Sequence, residues 1–592
     1  MSERLSVAAA TVKFLAAQQV SRDGQTIPMF AGMLGIFGHG NLTGIGAALA
    51  EQGFRYVLGR NEQALVHTAV AYARARQRRQ MWAVTTSIGP GATNLVTGAA
   101  LATVNRLPVL LLPGDTFATR ACPPVLQELE SGSDVTVNDA LRPVSRFFDR
   151  VQRPEQLPAA LVGAMRVLTD PAETGAATIA LPQDVATESY DWPEELFAER
   201  IWHIPRTPPD PDALARAAAV IQGARTPLLV AGGGVVYSEA TTALRNFAEA
   251  TGIPVALTQA GKGALAFDHP LCAGALGTTG TPTANRLAAD ADVVIGIGTR
   301  YSDFTTASRS AFAHPDVRFV NVNVAAFDAA KLSAVAVVAD ARAGLARLQA
   351  ALPDYRADVE VPTDWHREVE SAYAADELTQ VTIMGMVEAA GGTVVCAAGS
   401  MPGELHRLWR AHEPEDYHVE YGYSCMGYEI AGGLGVKLAH PEREVFVLVG
   451  DGSYLMMSSE IVTSLELGAK LVVVLVDNGG FASIGALSEA TGSDRFGTTY
   501  AVRPDLGANA ASLGAQVFRP STKAEFAAAL AQARAATQTT VLYVRTDQRD
   551  GAPPSQSWWD VPVPETSRTH ADYVTAKRRQ RPLLRPPERH EQ

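Results

Sequence analysis

Cysteine is scarce in this chain: four residues in 592, Cys122, Cys272, Cys396 and Cys425, with no Cys-x-x-Cys pair. That excludes a disulfide framework and a cysteine zinc site and suits a reducing compartment. Each thiol is expected as a small buried apolar group. Long apolar runs are missing too. Stretches such as "LVVVLV" at 471–476 fall far short of the ~20 residues that a membrane-spanning helix requires. The opening "MSERLSVAAATVKFLAAQQV" lacks the basic-then-apolar order of a secretory signal. It reads as a small amphipathic helix, and a cytoplasmic protein is expected. There is no excess of positive charge, since 50 Lys and Arg stand against 62 Asp and Glu, a formal net charge of −12. Neither nucleic acid nor an anionic membrane is therefore expected as a partner. A phosphorylated ligand would need local help from a metal ion or from backbone N–H groups.

What is present is a regular alternation. Strand-like runs such as "MWAVTTS" at 81–87, "PLLVAGGG" at 227–234, "VFVLVGDG" at 445–452 and "LVVVLVDN" at 471–478 alternate with helix-period segments, the pattern of α/β units with parallel sheets. The chain is too long for one core at ~150 residues per domain. Two polar, proline-containing stretches, 190–213 and 352–365, divide it. The expected fold is α/β, with three doubly wound parallel-sheet domains at 1–190, 210–352 and 375–560. The basic, proline-rich end at 577–592 is expected to be a solvated, poorly ordered tail.

Several of the strand-like runs end in Gly, Asp or Asn, where open sheets of this kind place their ligands. Asp451 follows one such run inside Gly450-Asp451-Gly452, and Asn478 follows the next, 27 positions later. Two adjacent strands ending in oxygen side chains would present both at one sheet edge. A hard cation such as Mg²⁺ asks for that, taking a few oxygens from protein and the rest from phosphates and water. The candidate ligands are the Asp451 carboxylate, the Asn478 amide oxygen and the Gly480 main-chain carbonyl. Gly450 and Gly452 allow close backbone approach, and the helix starting near Ser453 points free N–H groups at a diphosphate. "LLLPGDT" at 111–116 also carries Gly-Asp after a strand, but no partner follows at that distance, so Asp115 is not expected to bind metal.

The Gly-Asp-Gly…Asn pattern resembles the diphosphate-anchoring motif of thiamine-diphosphate-dependent enzymes. The resemblance spans about residues 5–560 and implies thiamine diphosphate with Mg²⁺ as cofactors. It implies that Glu62, in "LGRNEQ" ahead of the glycine-rich "TTSIGPGATN" at 85–94, bonds the aminopyrimidine ring and assists proton loss at C2 of the cofactor. In "YGYSCMGYEIAGGLG" at 421–435 it assigns Met426 as the wedge that bends the cofactor and the Ser424 carbonyl as an acceptor from its amino group. Gly399 and Ser400, in "AAGSMPGELHRLW", also fall to cofactor binding. Glu62 and Asp451 lie in different domains, which in this family come from different subunits, so a homodimer or homotetramer is implied.

The middle domain resembles the region that holds FAD in acetohydroxyacid synthases, but Gly-x-Gly-x-x-Gly is absent at 232–237, and an empty, structural domain is expected. "GIFGHGN", "LLPGDTFATR", "LPQDV" and "SWWDVPV" are similar to a ring-opening branch of the family. The implied reaction is hydrolysis of a ring C–C bond in a cyclic polyol diketone during inositol breakdown, releasing 5-deoxyglucuronate. His39 and Asn41, on the loop expected to face the cofactor, are candidate catalytic or hydroxyl-binding groups, and Asp115 and Thr116 end a neighbouring strand. Two rivals share the cofactor residues: an acetolactate-synthase-like decarboxylating carboligase and a non-catalytic thiamine-diphosphate-binding protein.

Overall fold

The computed structural model describes residues 2–120, 125–129, 131–132, 134–552, 555 and 557–583. These form three six-stranded parallel sheets flanked by helices. The first sheet runs Tyr56–Leu58, Phe30–Gly35, Met81–Thr86, Val109–Asp115, Ala176–Pro182 and Phe147–Arg150. The third runs Tyr417–Val419, Thr393–Cys396, Val445–Gly450, Val472–Asp477, Thr540–Arg545 and Gln516–Phe518. Numbered by chain order, both sheets read 2-1-3-4-6-5. The middle sheet runs Cys272–Ala275, Val255–Leu257, Pro227–Ala231, Val293–Ile297, Arg318–Asn323 and Val335–Val338, the order 3-2-1-4-5-6.

The central strands read as unbroken apolar runs because helices cover both faces. All six residues of Val472–Asp477 are buried, as are all seven of Val109–Asp115. Strand order then fixes where ligands can sit, since a crevice opens at the carboxyl ends of the two strands between which the winding reverses. In the third sheet those strands are Thr393–Cys396 and Val445–Gly450, which lead into Ala397–Ser400 and Asp451–Ser453. In the first they are Phe30–Gly35 and Met81–Thr86, which lead into the loop carrying His39 and the turn ending at Asn94.

Helix Glu62–Ala75 of the first domain packs on helix Tyr428–Ala439 of the third. The Thr68 hydroxyl donates to the Ala431 carbonyl at 3.0 Å. Gly435 permits the approach, because a Cβ there would stand 2.3 Å from the Thr68 carbonyl oxygen.

Three sequence expectations change. Helix Val7–Ala16 is buried on nearly every side rather than amphipathic, because its alanines let neighbours pack all round. The basic end does not begin as a tail: helix His570–Gln580 runs through 577–580, with Lys577 on Asp560 and Gln580 buried against the Ser308 carbonyl. Residues 584–592 lie outside the described residues. Cys272 and Cys396 are buried as expected, Cys425 is only partly so, and Cys122 lies outside the described residues.

Candidate active site

Asp451 opens helix Asp451–Met457 directly after its strand. Its Oδ1 accepts from the Gly452 N–H at 2.7 Å, and its Oδ2 accepts from Gly479 at 2.6 Å and Gly480 at 3.0 Å. The carboxylate therefore ties together the ends of two adjacent strands. Burial, then the neighbouring Asp477 carboxyl, push it up to about 6. Burial also raises Asp477, but the Tyr543 hydroxyl and the Arg503 guanidinium outweigh that and leave it low. Next along the chain, Asn478 Oδ1 is buried with no hydrogen-bond partner among the described residues. Such an oxygen is costly unless something binds it. Gly480 has φ +153°, and a Cβ there would lie 2.1 Å from the Thr498 carbonyl oxygen.

An orphaned amide oxygen beside a buried carboxylate fits a hard cation. No group of three His, Cys, Asp or Glu that could hold a metal occurs among the described residues. A cation here would thus draw most of its oxygens from main chain, water and a ligand, as Mg²⁺ does with phosphates.

The turn before helix Tyr428–Ala439 faces this point. Ser424 takes φ +55° and Gly427 φ +87°. For serine that is a conformation held against its intrinsic preference, of the kind that clusters at functional sites. Met426 lies close enough that its Cε would be 3.3 Å from a Cβ on Gly452, with the Tyr500 hydroxyl at 2.8 Å and a Phe481 ring carbon at 2.9 Å. Gly452 therefore has to be glycine. Ser453 Oγ accepts from the Gly427 N–H at 2.7 Å and donates to Glu429 Oε2 at 2.6 Å. Ser400 Oγ accepts from the Gln380 amide at 2.9 Å, which also donates to Glu404 at 2.6 Å. Burial pushes the carboxyls of Glu429 and Glu404 up to about 7.

These groups share one cavity of about 1080 Å³. Ser424, Met426, Gly399, Ser400, Gly450, Asp451, Gly452, Ser453, Asn478 and Gly480 all line it. It extends to Gly232–Gly234 and Gly298 at the switch point of the middle sheet. Glu62, His39 and Asn41 are not part of its lining.

The first-domain residues stand elsewhere. Asn61 caps helix Glu62–Ala75, and Glu62 Oε2 accepts from the Asn94 amide at 2.9 Å. A Cβ on Gly91 would lie 3.4 Å from Glu62 Oε1, so the glycine-rich turn does wrap this acid. His39 is exposed. Asn41 is buried and fully engaged: its oxygen accepts from the Gly38 N–H, and its amide donates to the Ile36 carbonyl and the Thr85 hydroxyl. It shapes the loop that displays His39, with both amide hydrogens and its oxygen bonded within the first domain. Asp115 is wholly buried on Arg150 at 2.6 Å and on the Thr116 N–H at 2.8 Å, which removes it as a hydroxyl-binding group. Glu429, Gln380 and Glu404 were not singled out from the sequence. The one available signal was a carboxylate in the apolar first turn of "YEIAGGLGV".

Comparison with known proteins meets this geometry. Thiamine pyrophosphate enzyme family models match the N-terminal TPP binding domain over residues 31–133, the central domain over 214–348 and the C-terminal TPP binding domain over 397–544. The chain belongs to the thiamine pyrophosphate enzymes. A member from Geobacillus thermodenitrificans is 44% identical, the match covering 95% of this chain and 96% of that one. Another from Bacillus thuringiensis is 41% identical over 96% of each. Both carry the name 3D-(3,5/4)-trihydroxycyclohexane-1,2-dione hydrolase. This thiamine pyrophosphate enzyme thus has Asp451, Asn478 and Gly480 inside the C-terminal TPP binding match, and Glu62 and His39 inside the N-terminal one. No helix among the described residues is long and apolar enough to cross a membrane.

Proposed function

We propose that the protein hydrolyses a ring C–C bond of a trihydroxylated cyclohexane-1,2-dione, using thiamine diphosphate and Mg²⁺. The observation that carries the cofactor half is the orphaned Asn478 oxygen beside the buried Asp451 in the cavity that also holds Met426 and Ser424. The substrate half is supported by the full-length likeness to the two hydrolases. We take the domains as 1–190, 210–352 and 375–560 and the working location as the cytoplasm.

Asp451, Asn478 and the Gly480 carbonyl would hold Mg²⁺, while Gly450, Gly452, Ser453, Gly399 and Ser400 admit the diphosphate. Met426 would be the wedge against the cofactor, and the Ser424 carbonyl would accept from its amino group. Glu62 supplies the acid for the ring nitrogen. Because Glu62 lies outside its own chain's cavity, a second copy provides it, which makes the working unit a homodimer or a dimer of dimers. Exposed apolar side chains on both sides support such a contact, with Leu42 and Leu58 near Glu62 and Leu455 and Met456 on the Asp451 helix.

When bound, thiamine diphosphate supplies an electron sink for the pair released as the C–C bond breaks. The bond between the two carbonyl carbons is cleaved. Water delivers hydroxyl to the carbon that becomes the carboxylate and hydrogen to the carbon that becomes the aldehyde. His39, exposed on its loop, would meet substrate hydroxyls, and a site built to bond hydroxyls rejects analogues that lack them.

The test is purified protein with Mg²⁺, thiamine diphosphate and the trihydroxylated dione in D₂O, read by mass and NMR. One deuterium fixed on the aldehyde carbon of an open-chain acid is expected. Carbon dioxide from pyruvate as the faster reaction would replace this reading with a decarboxylating carboligase, and binding with no turnover of either compound would replace it with a binding protein.

A further inference from the structure

Glu429 is buried to 1% exposure yet has no part in holding the metal or in the cleavage above. It sits in the first turn of helix Tyr428–Ala439, where its two oxygens serve two segments. Oε2 accepts from the Ser453 hydroxyl at 2.6 Å, and Oε1 faces the Ala398 N–H at 3.4 Å. Ser453 passes the connection on by accepting the Gly427 N–H at 2.7 Å. One carboxylate thus bridges three stretches that line the cavity: 398–400, the turn carrying Ser424 and Met426, and the helix start at 451–453.

The turn needs such a restraint. Ser424 and Gly427 both hold positive φ, and a non-glycine residue stays there only when its surroundings over-determine it. Gly427 also precedes the helix, where its N–H has no carbonyl of the helix to meet and donates to Ser453 Oγ.

We propose that Glu429 is a positioning residue that sets the wedge, Met426, against the diphosphate end of the cofactor by acting through Ser453. This rests on the cofactor placement given above. The chemistry of the carboxylate is specific, since Oε2 accepts from the Ser453 hydroxyl and Oε1 from the Ala398 N–H, with the Gly427 N–H also acting on the group. A glutamine offers one acceptor and one donor. Either the Ala398 N–H faces an NH₂ group, or the Ser453 hydroxyl does and its own proton must find another acceptor, so a donor loses its acceptor inside a buried site.

Glu429→Gln keeps the volume and tests this with three readings. Titration calorimetry of thiamine diphosphate in Mg²⁺ should show an affinity roughly tenfold weaker or worse. Exchange of the C2 proton of the bound cofactor, followed by NMR, should slow, which a purely structural defect with normal wedge placement would not produce. In a Ser453→Ala background, Glu429→Gln should add little, because its route is already cut. Asp451→Ala serves as the reference. If Asp451→Ala leaves cofactor affinity intact, the cofactor placement itself fails. If it abolishes affinity while Glu429→Gln lowers only the thermal midpoint, with affinity and C2 exchange unchanged, the positioning role is overturned and Glu429 is a folding residue. Full additivity of the Glu429→Gln and Ser453→Ala losses would likewise overturn the route through Ser453.

Discussion

The first and third domains wind their sheets in the same order, 2-1-3-4-6-5, and each places an acid at the start of the helix it needs, Glu62 in one and Asp451 in the other. Their surroundings differ. Asp451 is 2% exposed, is bonded by three backbone N–H groups, and has the Asn478 oxygen beside it in the cavity. Glu62 is half-buried, held by the single Asn94 amide, and does not line that cavity. One fold has therefore made two kinds of surroundings for an acid: a buried carboxylate beside an unpartnered oxygen, the anchor of the proposed function, and a half-buried one outside the cavity, the arm that the proposed function completes with a second copy. Strand order locates the crevice, and the residues at the strand ends decide what it does.

The largest expected effect breaks the anchor. Asp451→Ala removes the carboxylate that would hold the cation, and without the cation a diphosphate meets a chain of net charge −12 uncompensated. Losing one partner of a buried charge pairing costs about 3–5 kcal/mol, so thiamine diphosphate affinity in Mg²⁺ should fall by a factor on the order of 10²–10³. Calorimetry that returned wild-type affinity would remove Asp451 from the anchor.

Glu62→Gln tests the arm and should behave in the opposite way. Cofactor affinity should change little, while turnover falls on the order of 10², the scale of a lost proton-transfer group. C2 proton exchange at the wild-type rate would reduce Glu62 to an ordinary helix-start acid. The two variants then sharpen each other when mixed. If each site takes Asp451 from one chain and Glu62 from another, random re-pairing of two inactive dimers places one intact site in half the molecules, about a quarter of wild-type activity. If both acids came from one chain, mixing would restore nothing.

The anchor could be read from the sequence and the arm only in part. Asp451, Asn478 and Gly480 follow from two strand ends 27 residues apart, because sheet register converts that spacing into proximity. Glu62 is legible only through its glycine-rich companion, of which Asn94 stands 2.9 Å from its carboxylate. Asn41 as a candidate for substrate and Asp115 at a neighbouring strand end show the other side, since a polar residue there looks the same whether a neighbour engages it or not. Only three-dimensional packing reveals the Thr85 hydroxyl and the Arg150 guanidinium that occupy them. Glu429 escaped notice for the converse reason, its partners lying 24 and 31 residues away in other turns. The middle sheet's different order, 3-2-1-4-5-6, has no counterpart in composition or periodicity.

The smallest expected effect concerns the joint between the two domains. His67 lies on helix Glu62–Ala75, fully buried, with its ring 5.4 Å from that of Tyr428 and its Nε2 3.8 Å from Cys425 Sγ. Burial holds its pKa down at about 4, against 6.5 for an ordinary histidine. The folded protein therefore keeps His67 neutral while the unfolded chain takes up a proton below pH 6.5. Its contribution is fully present above that value and is lost progressively as the pH falls to about 4. At pH 5 the loss is roughly 2 kcal/mol. His406 and His418 are also buried with lowered pKa values, so the wild type should lose thermal stability in acid by several routes. The informative quantity is a difference. His67→Gln should show a smaller fall in thermal midpoint between pH 7.5 and pH 5 than the wild type does, by a few degrees. An equal fall in both proteins would mean that the joint between the first and third domains is not where acid acts.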